Sequence, residues 1–308
     1  MFDPAVLTQQ FFNALALGSI YALVALGYTL VYGIIELINF AHGDVFMVGT
    51  FTAMWFITTI LMMNRSIEDP VLLIGVLLLV FTVVMIFLGV VGVIIERFAY
   101  RPLRRAPRLA PLLTAIGVSF ILQNLIQVIF GPSPETTPKL FPNIRFQFLG
   151  ANISLLAIFI FALTISLIIA LQFFVNRTRL GRAMRSTAQD REAAQLMGVD
   201  INRTIATTFF IGSALAGAGS VVYGLYYGQI VFTLGFSSGL KAFTAAVLGG
   251  IGNTTGAAFG GFFIGFVEVY ASHFGYARWS SAFVFGILIL VLVFRPSGLF
   301  GQQLGERA

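Results

Sequence analysis

Ionisable side chains are scarce in this sequence, and those that fall inside apolar runs mark where chemistry could occur. Glu36, His42 and Asp44 interrupt the run IIELINFAHGDVF around Gly43, the densest such cluster beside a candidate membrane span. A charge at bilayer depth is costly and tends to mark a pathway. Glu36 and Asp44 can instead lie at a helix turn in the headgroup region. Asn39, Phe40 and Gly43 are then the better path residues, with His42 among them. A broken helix leaves backbone groups that only an aqueous or protein-lined cavity satisfies. A second glycine-broken stretch, QIVFTLGFSSGLKAF, adds Phe236 and Gly239 to the expected translocation path. Lys241 and Glu268 stand about 12 to 14 residues either side of the turn signal Gly252-Asn253-Thr254-Thr255-Gly256, hence at similar depth if both arms are helical. They are expected to form a structural ion pair within about 6 Å, so that neither charge is bare.

The longest polar run, Arg177 to Arg203, carries six arginines against Asp190, Glu192 and Asp200. Arginine excess beside membrane spans reads as cytoplasmic. Ser186 or Thr187 is a candidate N-cap, with Gln189 or Asp190 three residues on. Ala193, Leu196 and Met197 follow at helical spacing, and Gly198 is a natural stop. The pattern predicts a capped docking helix presented to the cytosol; the plainer alternative is a solvated basic loop that only sets topology.

Other chemistries lack their residues. There is no G-x-x-x-x-G-K-[ST] motif, and Lys139 and Lys241 are the only lysines, so no P-loop nucleotide site exists. His42 and His273 lie far apart, there is no H-E-x-x-H, and there are no cysteines, which leaves no metal or catalytic site to propose. The net charge of +6 comes from short arginine loops and does not imply nucleic-acid binding. With 58% hydrophobic and 10% charged residues and a mean hydropathy of +0.95, the chain is an all-α integral membrane protein. No segment could fold as a soluble ATPase, so nucleotide hydrolysis would need separate subunits. The N-terminus lacks a basic n-region and a cleavage site, so no removed signal peptide is expected.

About eight apolar segments are expected to position these residues in one polytopic unit, 1–308, with halves near 1–150 and 151–308 and a docking loop at 176–203. They run near 11–33, 45–63, 71–95, 109–130, 153–175 and 205–227, then a re-entrant or tight helical hairpin, then 280–294. Each hairpin arm, of about 13 residues, would reach only about 20 Å, short of the ~30 Å hydrocarbon core. With arginine loops inside, parity puts the N-terminus outside and the C-terminus in the cytoplasm. The first and sixth segments are then antiparallel. Each is followed by Phe-x-x-Gly (Phe40 to Gly43, Phe236 to Gly239) seven or eight residues after a Tyr-Gly pair, Tyr32-Gly33 and Tyr227-Gly228. Weak symmetry of opposite orientation, with a broken helix in each half, is the pattern of an inverted-repeat permease.

Three blocks carry a family likeness: LGSIYALVALGYTLVYGIIELINFAHGD (17–44), GRAMRSTAQDREAAQLMGVD (181–200) and GLKAFTAAVLGGIGNTTGAAFGG (239–261). In this order they resemble the LivH-type permease subunit of branched-chain amino acid ABC importers, over nearly the whole length. The resemblance implies a bacterial inner-membrane permease. It would pair with a second related permease, two cytosolic ATPase subunits that bind ATP and Mg, and a periplasmic substrate-binding protein. It makes 186–200 the ATPase-coupling element, with Asp190, Arg191, Glu192, Ala194, Leu196, Met197 and Gly198 as its residues. Relatives also carry urea, short amides and other amino acids, so cargo stays open between these. A proton-coupled secondary transporter using Glu36, Asp44 and Glu268 is the rival of another class. A multipass enzyme lacks a nucleophile and base.

Overall fold

The computed structural model describes residues 3–301 apart from Arg105 and Arg108. Those two arginines of the 97–108 loop, and the tail beyond Gly301, lie outside the described residues. Helix α1 (Pro4–Ile35) starts where Asp3 accepts the Ala5 N–H at 2.9 Å ahead of Pro4, a preset first turn. It ends at Glu36, whose backbone is left-handed with φ 55°. From Ala14 to Val31 nearly every residue is buried, because small residues let neighbouring backbones close in.

Beyond a non-helical link, 36–40, α2 (Ala41–Trp55) continues into a π-helical turn, Phe56–Ile60. Helix α3 (Pro70–Ile95) runs on through turns to Leu103, and α4 (Leu109–Phe130) follows. Strands β1 (Glu135–Thr136), β2 (Arg145–Phe148) and β3 (Ala151–Ser154) form a small cap, with β2 and β3 paired antiparallel. Then come α5 (Leu155–Arg177), α6 (Arg179–Gln189), α7 (Arg191–Leu196) and α8 (Ile201–Tyr227). Strand β4 (Gln229–Ile230) pairs antiparallel with β1. Helices α9 (Leu234–Gly249), α10 (Thr254–Ala271) and α11 (Ser280–Phe294) close the fold, with a bend at Gly275 (φ 90°) between the last two.

Among the described residues seven helical stretches are long and apolar enough to cross a membrane, the last of them holding both α10 and α11, and α9 adds a shorter apolar helix. This is an all-α integral membrane architecture. The hairpin arms are longer than expected, 16 and 18 residues, about 24 and 27 Å at 1.5 Å per residue. The reason is that the stretch QIVFTLGFSSGLKAF is helical from Leu234 on. Gly235 and Gly239 lie inside α9, and the true break is 228–233. Likewise the first break is 36–40, shorter than the run around Gly43 suggested, because Ala41 to Asp44 already belong to α2. The Tyr-Gly pairs are not equivalent either: Gly228 is the left-handed cap of α8, whereas that role on α1 belongs to Glu36, three residues past Gly33.

A correspondence between α1–α4 and α8–α11 appears in the packing. Helix α1 packs along α10 as α8 packs along α3; α2 lies on α4 as α9 lies on α11; α1 crosses α8 and α2 crosses α9. One end of the molecule gathers Arg97, Arg101, Arg104, the α6–α7 arginines and Arg295, together with the α9–α10 turn, where Asn253 Nδ2 donates to the Phe300 carbonyl at 2.9 Å. The strands and the α10–α11 bend cap the other end.

Candidate functional site

The two breaks bring α2 and α9 together as antiparallel helices that start within the bundle. A Cβ on Gly239 would lie 2.7 Å from Gly43 Cα, and one on Gly43 would lie 2.8 Å from Gly239 Cα. The two Phe-x-x-Gly glycines therefore meet each other. Neither tolerates a side chain without moving the crossing. Their role is close contact, not helix breaking.

Around this crossing the expected path residues separate. Asn39 is buried and accepts a hydrogen bond from Tyr100 Oη at 2.9 Å. Phe40 is half-buried and faces Phe243 at 6.2 Å between ring centroids. His42 is buried edge-on to Tyr28 at 4.7 Å. Asp44 is 1% exposed: Ser119 Oγ donates to one carboxylate oxygen and Gln123 Nε2 to the other, at 2.9 Å. Phe236 is different, 60% exposed on the outside of α9.

Lys241 Nζ lies 2.5 Å from Glu268 Oε1, and Tyr21 Oη donates to Glu268 Oε2 at 2.6 Å. The two arms of the hairpin thus meet through opposite charges, with a hydroxyl from α1 filling the carboxylate's other side.

The docking run is two helices rather than one. Thr178 caps α6, accepting the Gly181 N–H at 3.0 Å. Ser186 and Thr187 lie inside α6, so neither is the N-cap of the second helix. That cap is Asp190, whose Oδ1 accepts from the Glu192 and Ala193 N–H groups at 2.9 and 3.0 Å. A carboxylate serves better there, since it meets the positive end of the helix dipole as well as the free N–H groups. Gly198, with φ 84°, stops α7. The expected coupling residues then divide by direction. Leu196 and Met197 are 89% and 84% exposed, and Glu192 is exposed beside them. Ala194 is buried, and Arg191 turns inward to donate to the Ile34 carbonyl at 2.8 Å.

Between this turn and the first break is a cavity of about 470 Å³, lined by Glu36, Leu37, Tyr100, Arg104, Asp190 and Arg191 among others. Arg104 on its wall pairs with Glu96 and also donates to Asn202 Oδ1 at 2.8 Å. Burial draws the Arg104 guanidinium below its ordinary pKa, and Glu96 opposes the shift. These partners were missed in the sequence. Glu96, Tyr100 and Arg104 stand four apart, the spacing of one helical face, which is the signal that would have grouped them. Ser119 and Gln123 are likewise i, i+4 on α4.

A family model described as "Branched-chain amino acid transport system / permease component" matches residues 10–292. The chain is 44% identical over 304 residues to the high-affinity branched-chain amino acid transport system permease protein BraD of Pseudomonas aeruginosa, with 97% of each chain covered. It is 40% identical over 303 residues to the corresponding LivH of Escherichia coli, again with 97% of each covered. It is 28% identical over 300 residues to a probable LivH of Methanocaldococcus jannaschii. No solved structure matches. With the family model spanning most of the chain and two such relatives aligned nearly end to end, the chain belongs to the branched-chain amino acid transport system permease component family.

Proposed function

We propose that this chain is the transmembrane permease subunit of an ATP-driven importer for branched-chain or other neutral amino acids. The observation that carries the coupling part is the pair Leu196 and Met197, two large apolar side chains almost fully exposed on a capped turn at the arginine-rich end. Large apolar side chains exposed together on an ordered turn mark a partner-binding surface, and an ATPase groove is the partner that an ABC permease requires. The cargo class follows the relatives' names. A second related permease, two ATPase subunits that hold ATP and Mg, and a periplasmic binding protein complete the importer. The membrane is the inner membrane, with the arginine-rich end and the C-terminus in the cytoplasm and the N-terminus outside.

Motion would pass through few contacts. Closure of the ATPase pair displaces α7; Arg191 carries the displacement to the Ile34 carbonyl, at the last turn of α1. The next residue but one is the left-handed Glu36, where the first break begins. Sliding at the Gly43–Gly239 crossing then opens one facing and closes the other. ATP and the loaded binding protein must each favour different facings by a few kcal/mol. The test is uptake into proteoliposomes holding this chain with its co-purifying subunits. Leucine accumulation should require enclosed ATP and added binding protein; accumulation driven by a proton gradient alone would overturn the reading.

A further inference from the structure

We infer that Lys241 and Glu268 form an exchangeable ion pair that receives the ammonium and carboxylate of a zwitterionic amino acid during translocation. The inference rests on the amino-acid cargo proposed above and names its site.

Two charged systems lie deep in the bundle, and they differ in access. Asp44 is sealed at 1% exposure. The Lys241 and Glu268 side chains keep 14% and 16% of their surface accessible, so this pair is not sealed as Asp44 is. Tyr21 holds Glu268 through Oε2, which leaves Oε1, the oxygen facing Lys241, free to change partner while the carboxylate stays in place. Lys241 has three N–H donors, of which the pair needs one.

The energetics favour one class of solute. Separating a lysine and a glutamate away from water leaves two uncompensated charges, which is strongly unfavourable. A zwitterion brings both counter-charges at once: its ammonium replaces Lys241 at Glu268, and its carboxylate replaces Glu268 at Lys241. No step then exposes a bare charge. A neutral amide, urea or a sugar cannot supply this exchange.

The surroundings suit an aliphatic side chain. Tyr223 and Tyr227 pack with ring centroids 4.4 Å apart. Tyr227 is 45% exposed and is the last residue of α8, so this aromatic wall reaches the end of the molecule opposite the arginines. In the proposed orientation that is the side where cargo arrives.

The experiment uses the full chain with its co-purifying subunits in phosphatidylethanolamine–phosphatidylglycerol nanodiscs, probed with radiolabelled leucine. The competitors are leucinamide, which lacks the carboxylate, and 4-methylpentanoate, which lacks the ammonium. Parent protein should prefer leucine to both. Lys241→Met should favour leucinamide and Glu268→Gln should favour 4-methylpentanoate, each weakening leucine by about tenfold, as for loss of one charge-assisted bond. Where a single variant fails to assemble, Lys241→Met/Glu268→Gln restores neutrality and decides: it should assemble yet lose saturable leucine binding. Leucine binding by that double variant equal to the parent's would make the pair purely structural and overturn the inference. A parent complex that binds urea or an amide but not leucine would instead sink the cargo reading on which the inference rests.

Discussion

The two breaks are the same device built in two ways. The first, 36–40, is wired by side chains to the arginine-rich end. Tyr100 donates to Asn39, Glu96 pairs with Arg104, Arg104 reaches Asn202, and Arg191 holds Ile34 just before the break. The second, 228–233, is fastened by backbone: β4 pairs with β1, and Thr137 donates its N–H to the Gly228 carbonyl at 3.1 Å and its Oγ1 to the Gly224 carbonyl at 2.5 Å. Side-chain contacts to separate helices can be remade in a second arrangement, whereas strand pairing resists sliding. In the mechanism proposed above, the contrast would make the first break the driven gate and the second a fixed abutment, with the Gly43–Gly239 crossing as the bearing between them.

The bearing should break first. Gly239→Val puts a branched side chain where even a lone Cβ would lie 2.7 Å from Gly43 Cα. Overpacking of this kind costs roughly 3 kcal/mol, so the variant should lose the folded protein in detergent thermal melts and all uptake in cells. Normal uptake would remove the crossing from the mechanism. Next comes the driven side alone. Leu196→Glu changes a side chain that is 89% exposed, so the melting transition should move by less than about 0.5 kcal/mol of stability, while co-purification of ATPase subunits falls by tenfold or more. Retained co-purification would leave the knob without a role. Arg191→Ala should act more finely: the complex still assembles and hydrolyses ATP, but leucine moved per ATP drops several-fold. Arg191→Lys should recover only part, since an ammonium lacks the planar fork.

Much of this contrast was readable from residue order, and the unread part has a physical cause. The arginine loops, the apolar spans, the Asp190-to-Gly198 region and the Lys241–Glu268 spacing all depend on local composition or on helical rise. What escaped depends on tertiary contact. Gly235 and Gly239 look like helix breakers in a one-dimensional pattern, yet they are helical because the glycine surface is matched by Gly43 from the other half. Ser186 and Thr187 look like caps, but α6 absorbs them because Asp190 is the stronger cap. Arg191 and Ala194 read as surface residues of the knob. Only the packed structure turns one to Ile34 and buries the other. Nothing local distinguishes Glu36 from an ordinary loop acid, although it takes the left-handed position that Gly228 takes in the other half.

Thr137→Val tests the fastened side and should cost about 1 kcal/mol without changing leucine moved per ATP. A coupling defect there would erase the difference between the breaks. The smallest and sharpest test exchanges the caps. Gly228 (φ 69°) accepts the left-handed conformation freely, so Gly228→Ala should destabilise by about 1 kcal/mol, seen as a lower melting temperature. Glu36 (φ 55°) carries that strain already, so Glu36→Gly relieves it, but a glycine also gives the unfolded chain more freedom, and the two effects nearly cancel. The exchange should therefore be asymmetric: a clear loss at 228 and a change within about 0.5 kcal/mol at 36. A non-glycine residue in the left-handed conformation at the first break, lining the cavity with Arg104 and Arg191, fits a hinge that leaves the left-handed state when the gate moves. Slower leucine transport by Glu36→Gly at unchanged stability would support that step; unchanged transport would place the hinge elsewhere in 37–40.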